Sequence, residues 1–262
     1  MRARFQSTVS GLRSAQRICV LVASAVFSLQ ATADGRLPSF AAARLSTEFS
    51  QCKHFFPAGL PPVVPQAPLL RELCYSAFAV LHSGQTKTPV FVVQHLNRAM
   101  LLQANNQRRS KHFFADVRLP SEERAELGDY KRSGYTRGHM APAGDMDSPD
   151  AMAQSFSLAN MAPQDEQLNG GAWNSIEQDT RKYVLRAQAD VYVFTGPVFV
   201  APTPTIGPSE VHVPQYFFKL VYDAGTSQSW AHWQANEPML RASAPISYEE
   251  LVQRTGIEFV PR

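Results

Sequence analysis

The 262-residue chain predicts an α+β fold, a central and mostly antiparallel sheet flanked by helices. Three observations lead there. Strand-like runs at 74–81 and 89–93 flank the turn-like Ser83-Gly84-Gln85-Thr86, a pattern that reads as a hairpin. Val191–Gly196 and Gln215–Val221 read as further strands, with a Pro/Gly/Thr loop between them. Finally, the proline-free stretch from Leu168 to about Ala187 brings Trp173, Ile176, Tyr183 and Val184 round at roughly helical spacing.

The N-terminal residues have a different texture. Residues 1–17 hold four arginines and no acid, Ile18–Leu29 is an apolar run, and Ala31-Thr32-Ala33 follows. That order is the one found in secretory signal peptides, so residues 1–33 are expected to be removed and the protein to be exported, to a periplasm or out of the cell. The apolar run is short of the roughly 20 residues that span a bilayer, which leaves no membrane association after cleavage. Cys19 opens the run instead of closing it, against a lipoprotein. Without those arginines the formal charge falls from +3 to −1, so overall charge says little about nucleic acid and a basic surface must be found locally.

Residues 34–70, rich in Pro, Ala and Ser, read as an irregular strap ahead of a single domain at 71–262. Two cysteines remain in the expected mature chain, Cys52 and Cys74. In an exported protein such a pair reads as one disulfide, contributing roughly 3 kcal/mol by restricting the unfolded chain; a reduced pair is the alternative. No histidine spacing around them suggests zinc.

Residues 98–137 carry nine Lys/Arg against five Asp/Glu, which predicts a local positive field there, with a self-neutralised loop as the alternative. Nearer the C-terminus, Tyr248–Gln253 reads as a helix with Ser247 as its N-cap.

The densest stretch for chemistry is Gly134-Tyr135-Thr136-Arg137-Gly138-His139-Met140-Ala141-Pro142-Ala143-Gly144-Asp145. A histidine placed where a strand ends and a Pro/Gly loop begins is well sited to present its imidazole, although a lone histidine is more often structural. About 30 residues on, Asn169, Trp173, Glu177 and Arg181 recur at i, i+4 and form one ridge of the expected helix, with Asn169 able to cap its start. An amide oxygen, a carboxylate and a guanidinium on one face suit a hard cation and a phosphate. The alternative is a solvated helix bearing a Glu177–Arg181 ion pair.

Thr136–Asp145, Ser155–Gln164 and Leu168–Arg181 together resemble the signature blocks of the DNA/RNA non-specific endonuclease family, the ββα-metal nucleases. The resemblance spans about Pro89 to Val221, and three ordered blocks are more specific than any one motif. It implies a ββα-metal core at about 134–187, with His139 as general base at the end of the first strand and Phe156–Leu158 near the second. It implies Asn169 as direct ligand of Mg²⁺, with Mn²⁺ as a substitute, and Glu177 on metal-bound water. Arg181 and an upstream arginine would contact the phosphate; Arg109 is the choice, with Arg108 next to it. Asn160 and Arg137 would organise the site from behind. Implied partners are DNA and RNA, held by the sugar-phosphate backbone, and a second copy of the chain as a homodimer. One residue departs from the family pattern: Thr136 stands where the usual Asp-Arg-Gly-His run has its Asp, and cannot supply a carboxylate. Helix-turn-helix, zinc-finger and RNA-binding-sheet signatures are missing from the sequence. A catalytically dead binding module and an esterase for small phosphate esters remain the competing classes.

Overall fold

The computed structural model describes residues 43–261; the expected signal peptide, 1–33, and the start of the strap, 34–42, lie outside them. The strands are β1 (Arg44–Ser46), β2 (Val63–Pro65), β3 (Leu70–Cys74), β4 (Ala79–Ser83), β5 (Thr88–Leu96), β6 (Thr136–His139), β7 (Met161–Gln164), β8 (Val191–Val198), β9 (Thr205–Ile206), β10 (Val211–His212), β11 (Tyr216–Asp223) and β12 (Gln228–Ala235). The helices are α1 (Arg98–Ala104), α2 (Pro149–Gln154), α3 (Glu166–Leu168), α4 (Asn174–Val184) and α5 (Tyr248–Thr255). A π-helical turn, Asn169–Trp173, joins α3 to α4.

Six strands form the central sheet in the order β12-β11-β8-β5-β4-β3, every neighbouring pair antiparallel. The expected α+β fold is therefore the one observed. The hairpin differs in detail: residues 74–81 are not one strand, because the chain turns through Tyr75–Phe78 between β3 and β4, with the Tyr75 N–H donating to the Phe78 carbonyl.

Alternation along the strands gives the sheet two apolar faces. Val80, Val92 and Phe217 face one layer, which holds Met140, Phe156, Trp173 and Ile176. Leu81, Phe91, Phe194, Phe218 and Leu220 face the other. That second face is covered by Phe49, Phe55 and Phe56 of the strap and by Leu251 and Phe259 near the C-terminus. The strap is accordingly less irregular than expected: β1 pairs with β2, and the Cys52–Cys74 disulfide ties it to the end of β3 across a Cα–Cα distance of 5.9 Å. Helix α5 starts at Ser247, whose hydroxyl accepts from the Glu250 N–H, and stops at Gly256 in the left-handed region (φ 71°). Among the described residues no helix is long and apolar enough to cross a membrane.

Candidate active site

Strands β6 and β7 pair antiparallel, with Thr136 opposite Gln164 and His139 opposite Met161, and the α3–π–α4 helix follows. The second strand of this ββα unit thus lies at Met161–Gln164, a few residues beyond Phe156–Leu158. Phe156–Leu158 instead lead into a short 3₁₀ turn at Leu158–Asn160. Gly138 is required by contact: a Cβ there would sit 2.2 Å from Gln164 Oε1 on the paired strand.

His139 closes β6, and the loop after it is held by Asn160. The buried Asn160 side chain accepts from the Ala141 N–H at 2.9 Å and donates to the carbonyls of Ala141 and Ser155, each at 2.9 Å. The Asn160 main-chain carbonyl also accepts from the Met140 N–H. The imidazole is 9% exposed and packs edge-on against Phe156, with ring centroids 5.0 Å apart. Its Nε2 has no protein partner. Burial, and then the charge of Arg109, push its pKa down to about 3, so the ring is neutral at ordinary pH.

The helix does not begin at Asn169. Asp165 is the N-cap, its carboxylate accepting from the N–H groups of Gln167 and Leu168, each at 2.9 Å. Asn169 opens the π turn, and that turn revises the expected ridge. Trp173, one of the four i, i+4 residues, is fully buried in the core, while Asn174 joins Asn169, Glu177 and Arg181 along the pocket. The extra residue of a π turn shifts the register by one position, and such turns recur at functional sites. Gly171 permits it: the Ala172 N–H donates to the Met239 carbonyl at 3.1 Å, and a Cβ on Gly171 would lie 2.8 Å from that oxygen.

His139, Asn169, Glu177, Arg181, Arg109 and Arg137 therefore line one cavity of roughly 540 Å³. Arg109 lines it and Arg108 does not; the Arg109 guanidinium lies 5.4 Å from the centre of the Phe156 ring. Arg137 stacks 4.3 Å from the centre of Phe113. The i, i+4 ion pair does not form among the described residues: Arg181 Nη1 donates to Asp145 Oδ1 at 2.9 Å instead. Sequence reasoning missed Asp145 although it ends the His139 block. It missed Asn174 because a regular helix would turn that residue aside. Glu177 stays half-buried at the wall of the cavity, and desolvation, with some repulsion from Asp145, pushes its carboxyl up to about 7.

Thr136, the departure from the family pattern, sits beside Asn169. Its hydroxyl donates to the Gln164 carbonyl at 3.0 Å and accepts from Asn169 Nδ2 at 3.1 Å. With the amide nitrogen so engaged, Asn169 Oδ1 is left as a free oxygen donor. Among the described residues no group of three His, Cys, Asp or Glu is placed to hold a metal. The donor set nevertheless fits an ion that takes one or two protein oxygens and keeps its water, as Mg²⁺ does.

Of the nine basic residues in 98–137, Arg118 and Arg124 are neutralised by Asp116 and Glu126. Arg109 and Arg137 are the two that reach the cavity.

The sequence matches the family model described as DNA/RNA non-specific endonuclease over residues 61–262. Nuclease EXOG of Xenopus laevis is 33% identical over 213 residues, covering 72% of this chain and 58% of the relative. Human endonuclease G is 33% identical over 205 residues, covering 71% of this chain and 68% of the relative. A chain of the solved EndoG/EndoGI complex superposes with a TM-score of 0.69 at 25% identity, covering 81% of this chain and 91% of that one. The chain thus spans little more than half the length of the EXOG relative. These relatives correct the expected destination. EXOG and endonuclease G are mitochondrial nucleases, so the reading of this chain as an exported, periplasmic or secreted protein is withdrawn. An arginine- and serine-bearing, acid-free N-terminus is common to transit peptides and signal peptides, so composition alone misled. With its ββα unit, its cavity and its match over residues 61–262, this chain belongs to the DNA/RNA non-specific endonuclease family.

Proposed function

We propose that the chain is a divalent-metal-dependent endonuclease that hydrolyses phosphodiester bonds of DNA and RNA with little regard to sequence. The observation that carries this reading is the convergence of His139, Asn169, Glu177, Arg181 and Arg109 on one cavity. Neutral His139 takes a proton from the attacking water; its unpartnered Nε2 is the atom free to do so. An arriving phosphate offsets the Arg109 charge that weakens this base, so the imidazole becomes more basic as substrate binds. Arg109 and Arg181 donate charge-assisted hydrogen bonds to the phosphate oxygens, with Asp145 holding Arg181 in place. Asn169 Oδ1 would hold Mg²⁺ or Mn²⁺, and Glu177 would accept from the ion's water. When bound, the metal supplies Lewis-acid neutralisation of charge on the phosphate.

The cavity offers guanidinium groups and no base-reading motif, in keeping with backbone recognition, tolerance of both nucleic acids and inhibition by salt. The test is digestion of supercoiled plasmid and of RNA by the purified chain with Mg²⁺, Mn²⁺ or EDTA. Cleavage should need the metal and fall by about 10²–10⁴-fold in His139→Ala. Plasmid digestion by His139→Ala at the wild-type rate would overturn the assignment.

A further inference from the structure

The side chain that this scheme leaves without a task is Asn174, which the π turn brings to the wall of the cavity in place of Trp173. It is half-buried, and among the described residues its amide makes no hydrogen bond. Its neighbours do: Asn169 Nδ2 donates to the Thr136 hydroxyl, and the Ser175 hydroxyl donates to the Gly171 carbonyl. Nor does Asn174 cap a helix. The chain runs on from the π turn without a break, and α4 has no side-chain cap. Asparagine is a weaker helix former than alanine, so the first position of α4 would be firmer with a residue that carries no amide. The amide is left to the cavity, with no structural use.

Helix geometry says what it meets there. Asn169 is the first residue of the π turn and Asn174 the first beyond it, so the two follow one another along the cavity side, a π turn taking up one residue more than an α turn. Asn174 and Glu177 are three apart in α4, where side chains are direct neighbours with Cβ atoms about 5–6 Å apart. Asn169 and Glu177 are separated by about 12 Å along the axis, at 1.5 Å per residue. A hydrated cation that takes the Asn169 oxygen and reaches Glu177 through water fills that interval, and Asn174 stands in its middle. The space is open beside it: a Cβ on Gly170, another residue of the cavity wall, would meet no atom within 4 Å. Arg181 lies two turns beyond Asn174 and is held by Asp145, so on this helix the phosphate-binding end is the more distant one.

We propose that Asn174 is a second anchor of the cation: its Oδ1 accepts a hydrogen bond from a water in the ion's shell, between the ligand Asn169 and the acceptor Glu177. The role deepens the nuclease reading above and rests on it.

The experiment reads metal binding and not cleavage. Mn²⁺ is titrated into the metal-free full chain without nucleic acid, and the free ion is followed by its EPR signal. Asn174→Leu, which keeps the size and removes the oxygen, should bind about three- to tenfold more weakly, the scale of one hydrogen bond. Asn174→Ala should do the same and, as a better helix former, keeps the test open if the leucine variant does not fold. Asn174→Asp retains the oxygen and should bind at least as tightly as the wild type. Wild-type affinity in a folded Asn174→Leu or Asn174→Ala overturns the proposal. So does an Asn174→Asp as weak as they are, since the oxygen would then not matter. Unchanged metal affinity with a raised KM on plasmid would assign the amide to the nucleic acid, and also overturns it. Asn169→Ala is the control and should abolish binding. If the wild type binds no Mn²⁺, or binds it as well without Asn169, the metal site of the nuclease reading fails and this proposal with it. If the Asn174 variants alone behave as the wild type, that reading stands and only the proposal falls.

Discussion

The Asn169 side-chain amide donates to the Thr136 hydroxyl at 3.1 Å, joining the start of β6 to the π turn that follows α3. The same hydroxyl donates onward to the Gln164 carbonyl, so its proton and one lone pair are both committed. Through this relay Thr136 sets which end of the Asn169 amide faces the cavity. A residue without a charge can thus do an orienting job at the position where the family pattern has a carboxylate.

Thr136→Val keeps the shape and removes the hydroxyl, so Asn169 loses its anchor. Metal affinity, read by calorimetry on the apo chain, should fall about tenfold, the scale of one lost hydrogen bond of roughly 1–1.5 kcal/mol. Thr136→Ser should restore it. Equal affinity in the wild type and Thr136→Val would refute the relay.

Asn160 makes three side-chain hydrogen bonds in a fully buried setting. Asn160→Ala strands the Ala141 N–H and two carbonyls. A loss of about 2–4 kcal/mol in urea denaturation is expected, with cleavage reduced beyond what the fall in folded fraction explains.

His139 gives the fold an acid sensitivity whose direction is fixed. Its pKa falls from 6.5 to about 3 on folding, so the unfolded chain takes up a proton that the folded one refuses. The stability this represents is fully present above about pH 6.5 and is lost as pH falls from there toward 3. Each pH unit in that window costs up to about 1.4 kcal/mol. Denaturation curves at pH 7 and pH 5 should therefore converge in His139→Asn, and an undiminished pH effect in that variant would count against the assignment.

Glu177 behaves in the opposite sense. Its carboxyl is raised to about 7, so below that pH the metal-free site holds a proton that a cation must displace. Apparent Mg²⁺ affinity should drop by up to about tenfold per pH unit as pH falls below about 7, with proton release seen as a buffer-dependent heat. In Glu177→Gln the affinity should be lower and flat with pH.

Much of this was legible from residue order. The strands with nearly continuous apolar runs, such as Val90–Val93 and Phe217–Val221, declared themselves. So did α5, through Ser247. Less visible was β12: Gln228–Ala235 is a half-exposed edge strand, and His232, Gln234 and the two tryptophans do not alternate as a core strand does. Helix α1 lay inside a stretch read only for its charge. At the site, His139, Asn169, Glu177 and Arg181 stand out from the local sequence and its spacing, whereas Arg109 follows only from the arginine that the family resemblance implies. Asp145 acts through a pairing with Arg181, 36 residues away in sequence, which periodicity cannot register. The i, i+4 count failed at Trp173 because it assumed a regular helix.

The π turn also sets which rotation of the helix the site depends on. An α-helix advances about 100° per residue. The turn at Asn169–Trp173 takes up one extra residue, so that Glu177 and Arg181 come back into phase with Asn169. Winding the same residues as plain helix would turn both side chains away by about 100°, whereas losing one residue along with the turn would leave them facing the cavity. For this chain, a change that straightens the turn while keeping its length is the one most able to abolish the site with its motifs still readable.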